Sequence, residues 1–234
     1  MTTKKKETPK TVSGYDLFQV LQLALASNTT YATGTFGSSL NIAKNLTRIT
    51  KDPDSWNGQH KDQIYADAEK GDCFAFDCIG LVKSAGWWGW SADPSKTYGG
   101  AKYEDGMPDV SVHAFFRDYC DERKKISSVD EVPILTFCGL NDWSHIAVSV
   151  GGNLVIEATR YGTHRVRLAR IKGKTVSARK YMDLPERAFD FYAYCKYVDL
   201  TDLWKVTDAT GKIDVIKAWT DMRAPILITK IETK

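Results

Sequence analysis

Thiols, imidazoles and carboxylates are the groups in this chain able to carry acyl transfer and proton transfer. The cysteines are Cys73, Cys78, Cys120, Cys138 and Cys195. Their odd number and irregular spacing give no disulfide framework, and without a C-x-x-C pair no structural zinc site is expected. Reduced thiols and cytoplasmic synthesis fit this usage. One thiol is then available as a nucleophile. It reacts as thiolate, a form favoured by a helix N-terminus and by a nearby imidazolium. Cys78 follows Asp77, a good N-cap residue, and precedes Ile79, Val82 and Ala85 at helical spacing, so it is expected in a first helical turn. The plainer reading is an inert core cysteine, one of the most buried residue types.

A thiol needs a base. His60 lies in a polar stretch, His113 near the start of a helix, and His164 heads a basic strand. His145 opens the run His145-Ile146-Ala147-Val148-Ser149-Val150 directly after a polar loop. A base there can lean over a helix N-terminus packed on the sheet; a hydrogen-bonded structural histidine is the alternative. The third group is sought in Leu154-Val155-Ile156-Glu157-Ala158. If Gly151-Gly152-Asn153 is a three-residue loop, Glu157 lies diagonally from His145 on one face. A two-residue loop puts them on opposite faces. A carboxylate on an apolar strand needs a partner; an edge-strand surface carboxylate is the bland reading.

These residues need elements to hold them. Leu17, Phe18, Leu21 and Leu25, with Ser13 as cap, predict a helix over 15–26. Tyr31 to Gly37 reads as a strand or loop, and 38–72 as a polar insertion with one short helix. Residues 87–110 hold Trp87, Trp88, Trp90, Tyr98 and Tyr103 among glycines, an aromatic loop for which core packing competes with glycan stacking. A helix over 111–123 capped by Ser111 follows. Strands are expected at 132–138, 145–150, 154–159, 165–171 and 189–197, with a helix near 213–219 and a strand at 225–231. Helices before an antiparallel sheet give an α+β class. The domain reading is a disordered basic arm at 1–13, one domain over 14–203, and a C-terminal extension, 204–234, packed on it.

Composition narrows the classes. The 234 residues are 43% hydrophobic and 26% charged, which argues against a disordered chain. Basic residues (32) nearly balance acidic ones (29), so nucleic acid is not an expected partner. No segment approaches the ~20 apolar residues of a membrane span, and no signal peptide is recognised. A monomer is favoured. From Arg160 to Lys180 there are eight basic residues and no acidic one. A strand with a solvated basic face explains this; attraction to an anionic wall polymer is the functional reading.

Phe76-Asp77-Cys78-Ile79-Gly80-Leu81-Val82-Lys83 resembles the Asp-Cys-x-Gly-Leu/Phe-Val signature of the NlpC-type cell-wall peptidases. His145 to Asn153 resembles their His-Val-Gly-Ile-Tyr-x-Gly-x-Gly strand and turn. Glu157 falls where the family places its third polar residue. The loop over Trp87–Trp90, Tyr98–Tyr103 and Met107–Asp109 is similar to that of phage endolysin members. The resemblance covers about 15–203. It implies a papain-like fold with N-terminal helices packed on a central antiparallel sheet. It further implies a cysteine peptidase with peptidoglycan as partner and without metal or cofactor. Such a protein acts on the cell wall after lysis or from a virion. Cys78, His145 and Glu157 become the catalytic candidates, and Tyr31, Asp77, Trp90 and Ser144 the oxyanion and substrate-binding ones. Ala147 and Ser149 depart from the usual Gly and Tyr. The family's tyrosine about a dozen residues before its cysteine matches Tyr31 only across the 38–72 insertion; Tyr65 matches by distance alone. No repeated wall-binding module of the bacterial SH3 or LysM type is visible.

Overall fold

The computed structural model describes residues 8–96, 106–161, 165–176 and 179–202. The expected helix near 213–219, the strand at 225–231, the extension beyond 202, His164 and the Tyr98–Tyr103 stretch lie outside these residues.

In chain order the first elements are β1 (Val12–Ser13), α1 (Gly14–Ala26), β2 (Asn28–Tyr31), β3 (Phe36–Ser39), α2 (Ala43–Ile49), α3 (Trp56–Gln59), α4 (Lys61–Ala68), β4 (Cys73–Phe76) and α5 (Cys78–Gly86). Ser13 caps α1 as expected, accepting the Asp16 amide. Residues 8–13, read as part of a solvated arm, are held in place. β1 pairs in parallel with β12 (Val198–Asp199), and Trp87 Nε1 donates to the Lys10 carbonyl at 2.7 Å.

Strands β2, β4 and β3 form a three-stranded sheet with β4 in the centre. The 38–72 segment is more ordered than its polarity suggests. Its three short helices and β4 share a small core of Ala32, Leu40, Ile49, Ile64, Cys73 and Ala75. The spacing of so few apolar residues is too sparse to read as helical periodicity, yet they join Cys73 and Ala75 of β4 in one cluster.

After α5 come α6 (Val112–Ala114), capped by Ser111 as expected, and a wider π-helical turn, Phe115–Tyr119. The helix stops well before 123 because Cys120 turns extended and bridges antiparallel to Cys195. The remaining strands are β5 (Lys124–Lys125), β6 (Phe137–Gly139), β7 (Ile146–Gly151), β8 (Leu154–Ala158), β9 (Val166–Ile171), β10 (Glu186–Arg187) and β11 (Phe191–Ala193). They make a seven-stranded sheet in the order β10-β9-β8-β7-β6-β11-β5, antiparallel except at β10–β9. β6 is much shorter than 132–138. Pro133 lacks an amide to donate, and Leu135 sits at φ 52°.

The class is α+β, with one sheet face covered by helices. Ile146, Val148, Leu154, Ile156, Val166 and Leu168 pack toward α1 and α5, while Ala147, Val155, Ala169 and Ile171 face a second, smaller cluster. Among the described residues no helix is long and apolar enough to cross a membrane.

The β7–β8 turn is the two-residue loop, yet the strands keep the register expected of the three-residue one. Gly152 and Asn153, both at φ 59°, make a two-residue turn of the type that demands positive φ at both positions. Such a turn alone would put His145 and Glu157 on opposite faces. A β-bulge between Ser149 and Gly151 inserts one residue and shifts the register back, so Val148 pairs with Ile156. Ala147 thus lies opposite Glu157, and Glu157 shares a face with His145.

Candidate active site

Asp77 caps α5. Its carboxylate accepts the Gly80 amide at 2.6 Å and the Gly34 amide at 2.7 Å, while its own amide donates to Thr35. Gly80 is required by this closeness: a Cβ there would lie 1.9 Å from the Thr35 carbonyl oxygen. Burial, outweighing the two amide bonds and Lys83, raises the Asp77 carboxyl. Asp77 therefore fixes the start of α5 and the 31–35 loop together rather than presenting a free acid to substrate.

Cys78 is the first residue of α5, as expected, but it is not exposed there. It is 7% accessible. Burial and the Asp77 charge push its thiol up to about 12, against the amides of Ile146, Ile79 and Cys78 itself, which favour the thiolate. The sulfur thus lies against the first amide of β7, one residue from His145.

His145 and Glu157 are brought together. His145 Nε2 donates to Glu157 Oε2 at 2.6 Å. Phe189 stacks on the other side of the imidazole, with centroids 6.0 Å apart. Glu157 has no accessible surface. Arg167, directly opposite it on β9, donates through Nε at 2.9 Å, and Arg187 on β10 donates through Nε at 3.1 Å. Burial would raise this carboxyl. The His145 hydrogen bond and the charges of His145, Arg187 and Arg167 outweigh it and hold the carboxyl below its usual value. The two arginines were not singled out as site residues from the sequence. The signal was there, because a carboxylate buried in a sheet must find counter-charges on neighbouring strands.

Among the described residues no hydrogen bond joins the Cys78 thiol to His145. The alternation along β7 puts the imidazole on the face away from α5, and the thiol reaches the start of the strand at the Ile146 amide.

Tyr31 ends β2 beside Phe76, half-buried. Burial, with the neighbouring Cys78 and Asp77 charges, raises its hydroxyl. The long insertion does not separate Tyr31 from Cys78, because β2 and β4 are hydrogen-bonded neighbours. Tyr65 lies instead on α4, under the Lys61 ammonium. The insertion also touches this corner: Asn57 exchanges two hydrogen bonds with the Thr33 backbone, at 2.8 and 2.9 Å, and Trp56 meets the Tyr31 ring edge-on at 5.1 Å.

Two substrate-binding expectations are corrected or narrowed. Trp90 is a core residue, 2% accessible, wedged edge-on between Phe74 and Phe76 and covering Gly37. No face of it is open to a ligand. Ser144 is exposed beside His145, and both its amide and its hydroxyl donate to Asp142 Oδ1, at 3.0 and 2.7 Å, in a tight turn.

The basic stretch is solvated at Arg160, Lys172 and Arg179 but not along β9. Arg167 is bound to Glu157, Arg170 pairs with Glu186 at 2.6 Å, and Arg165 lies 3.8 Å from Asp67. Local carboxylates thus lie beside three of the eight basic residues. Elsewhere, His60 stacks on Trp56 and its Nδ1 lies 2.8 Å from the Trp56 carbonyl, while His113 packs against Trp143. Among the described residues no group of three or more His, Cys, Asp or Glu side chains is arranged to hold a metal.

Comparison of the chain with protein-family models, with curated proteins and with solved structures finds no match.

Proposed function

We propose that this protein is a thiol hydrolase of peptidoglycan stem peptides, with Cys78 as nucleophile, His145 as base and Glu157 as the group that orients the imidazole. The observation that carries the reading is the 2.6 Å His145–Glu157 hydrogen bond to a wholly buried carboxylate, next to the β7 amide on which the Cys78 sulfur rests. A histidine fixed in tautomer and orientation, next along the strand to the amide beside the thiol, supports a thiol–imidazole pair. Glu157 occupies Nε2, so Nδ1 is the nitrogen that takes the thiol proton and returns it to the leaving amine. The thiolate attacks the peptide carbonyl, the amine departs, and water hydrolyses the thioester. The Cys78 backbone amide and the Tyr31 hydroxyl are the donors proposed for the oxyanion. The substrate class rests on the resemblance of the Cys78 and His145 blocks to the NlpC-type peptidases. It implies action at the cell wall, with cleavage often between D-isoglutamate and a diamino acid.

A second reading is favoured by one observation. The Cys78 thiol is buried and pushed up to about 12, as in a decayed site. On that reading the protein binds wall without turning it over. Mass spectrometry of purified peptidoglycan after incubation with wild type and Cys78→Ala tests both. New termini inside the stem peptide, made by wild type alone, are the expected result. Release of the whole stem from muramic acid would make the enzyme an amidase, and new cross-links would make it an acyltransferase. No product from either protein, with both retained on wall, would establish the second reading.

A further inference from the structure

Cys120 and Cys195 take no part in the proposed chemistry, yet the fold sets them face to face. They form an isolated antiparallel bridge at the edge of the large sheet. The hydrogen bonds around it identify its type. The Asp121 amide donates to the Tyr194 carbonyl at 2.8 Å, and the Lys196 amide to the Tyr119 carbonyl at 2.9 Å. Both bonds flank the cysteines and neither comes from them, so this is a non-hydrogen-bonded pair, the closer of the two antiparallel kinds. Its typical Cα separation of ~4.5 Å falls inside the range that a disulfide spans. After burial, the Cys195 side chain is the strongest influence on the Cys120 thiol, so the sulfurs are neighbours. Cys73 and Cys138 sit in two other clusters, each without a facing cysteine.

We infer that Cys120 and Cys195 are a preset dithiol that closes to a disulfide when the folded protein meets a disulfide oxidant. The step balances: each thiol gives up a proton, the pair gives up two electrons, one S–S bond forms, and the oxidant disulfide is reduced to two thiols. The bond would tie the end of the π-helical turn to the strand segment leading into β12, which holds β1 and the start of α1. It would close a loop of about 75 residues. Burial raises the Cys120 thiol, so closure is slow at neutral pH and the bond, once made, is sheltered.

The test uses the full wild-type chain and is independent of wall hydrolysis. The reduced protein is incubated with excess oxidised glutathione, remaining thiols are alkylated, and tryptic peptides are mapped. The expected result is one linked pair, Asp118–Arg123 with Ala188–Lys196, and a melting temperature raised by roughly 5–10 °C, both reversed by dithiothreitol. Cys195→Ser should lose the linked pair and the rise while melting, when reduced, near the reduced wild type. Recovery of both peptides alkylated, glutathione adducts on either without a link, or a link from either to another cysteine would overturn the inference. The wild-type map decides even if the variant does not fold.

Discussion

Glu157 and Cys78 are buried to nearly the same degree, at 0% and 7% accessibility, and their ionisation is driven in opposite directions. Glu157 meets one imidazole and two guanidinium groups, so its charge is matched and its carboxyl stays ionised. Cys78 meets three amides, the Asp77 carboxylate and apolar neighbours, so its thiol stays protonated. Burial is the same force in both places. What differs is whether the surrounding strands supply opposite charge. The sheet half of the proposed site is charge-matched, while the thiol of the helix half stays protonated.

The largest expected effect concerns that protonated thiol. Alkylation of Cys78 by iodoacetamide, in short pulses, should speed up about tenfold per pH unit and roughly a thousandfold between pH 7 and pH 10. An ordinary thiol would level off near its usual value. Among the five cysteines Cys78 is the most accessible, so it should still label first. A plateau below pH 8 would mean that His145 already takes the proton, and that the two halves act as one.

Next in size is the loss of the matched charge. Glu157→Gln leaves Arg167 and Arg187 facing a neutral amide, which should cost about 3 kcal/mol of stability in urea unfolding. The pH dependence has a defined sign. A carboxyl held below its ordinary value of 4.5 adds stability above that value and loses it as pH falls through the folded-state value. Wild type should therefore weaken more steeply than the variant below about pH 4.5. Parallel curves would show that the arginines do not depend on Glu157.

The smallest effect is expected at the cap. Asp77→Ala removes the acceptor for the Gly80 and Gly34 amides and should cost ~1 kcal/mol. Asp77→Asn keeps an acceptor oxygen and should recover most of it. Equal losses in both variants would point to the Asp77 charge rather than its hydrogen bonds.

Local rules read from the chain were enough for much of this architecture. Ser13, Asp77 and Ser111 as caps, the helical stripe after Cys78, and the alternation in 145–150 and 154–159 are decided by neighbours a few residues apart. The candidates Cys78, His145 and Glu157 came from the same short-range patterns. What lay beyond reach depended on distant strands. The bulge at Ser149–Gly151 restores a register that the two-residue turn would have reversed, because only the packed sheet shows which face must be buried. Trp90 looked like a ligand platform until Phe74 and Phe76 closed around it. Arg167 and Arg187 gained their role only when β9 came alongside β8 and β10 alongside β9, and Tyr31 came to the start of α5 only through the β2–β4 pairing that bridges the insertion. Spacing along the chain specifies which face a side chain takes; which charges and rings meet it there is set by strand order, which no local pattern encodes.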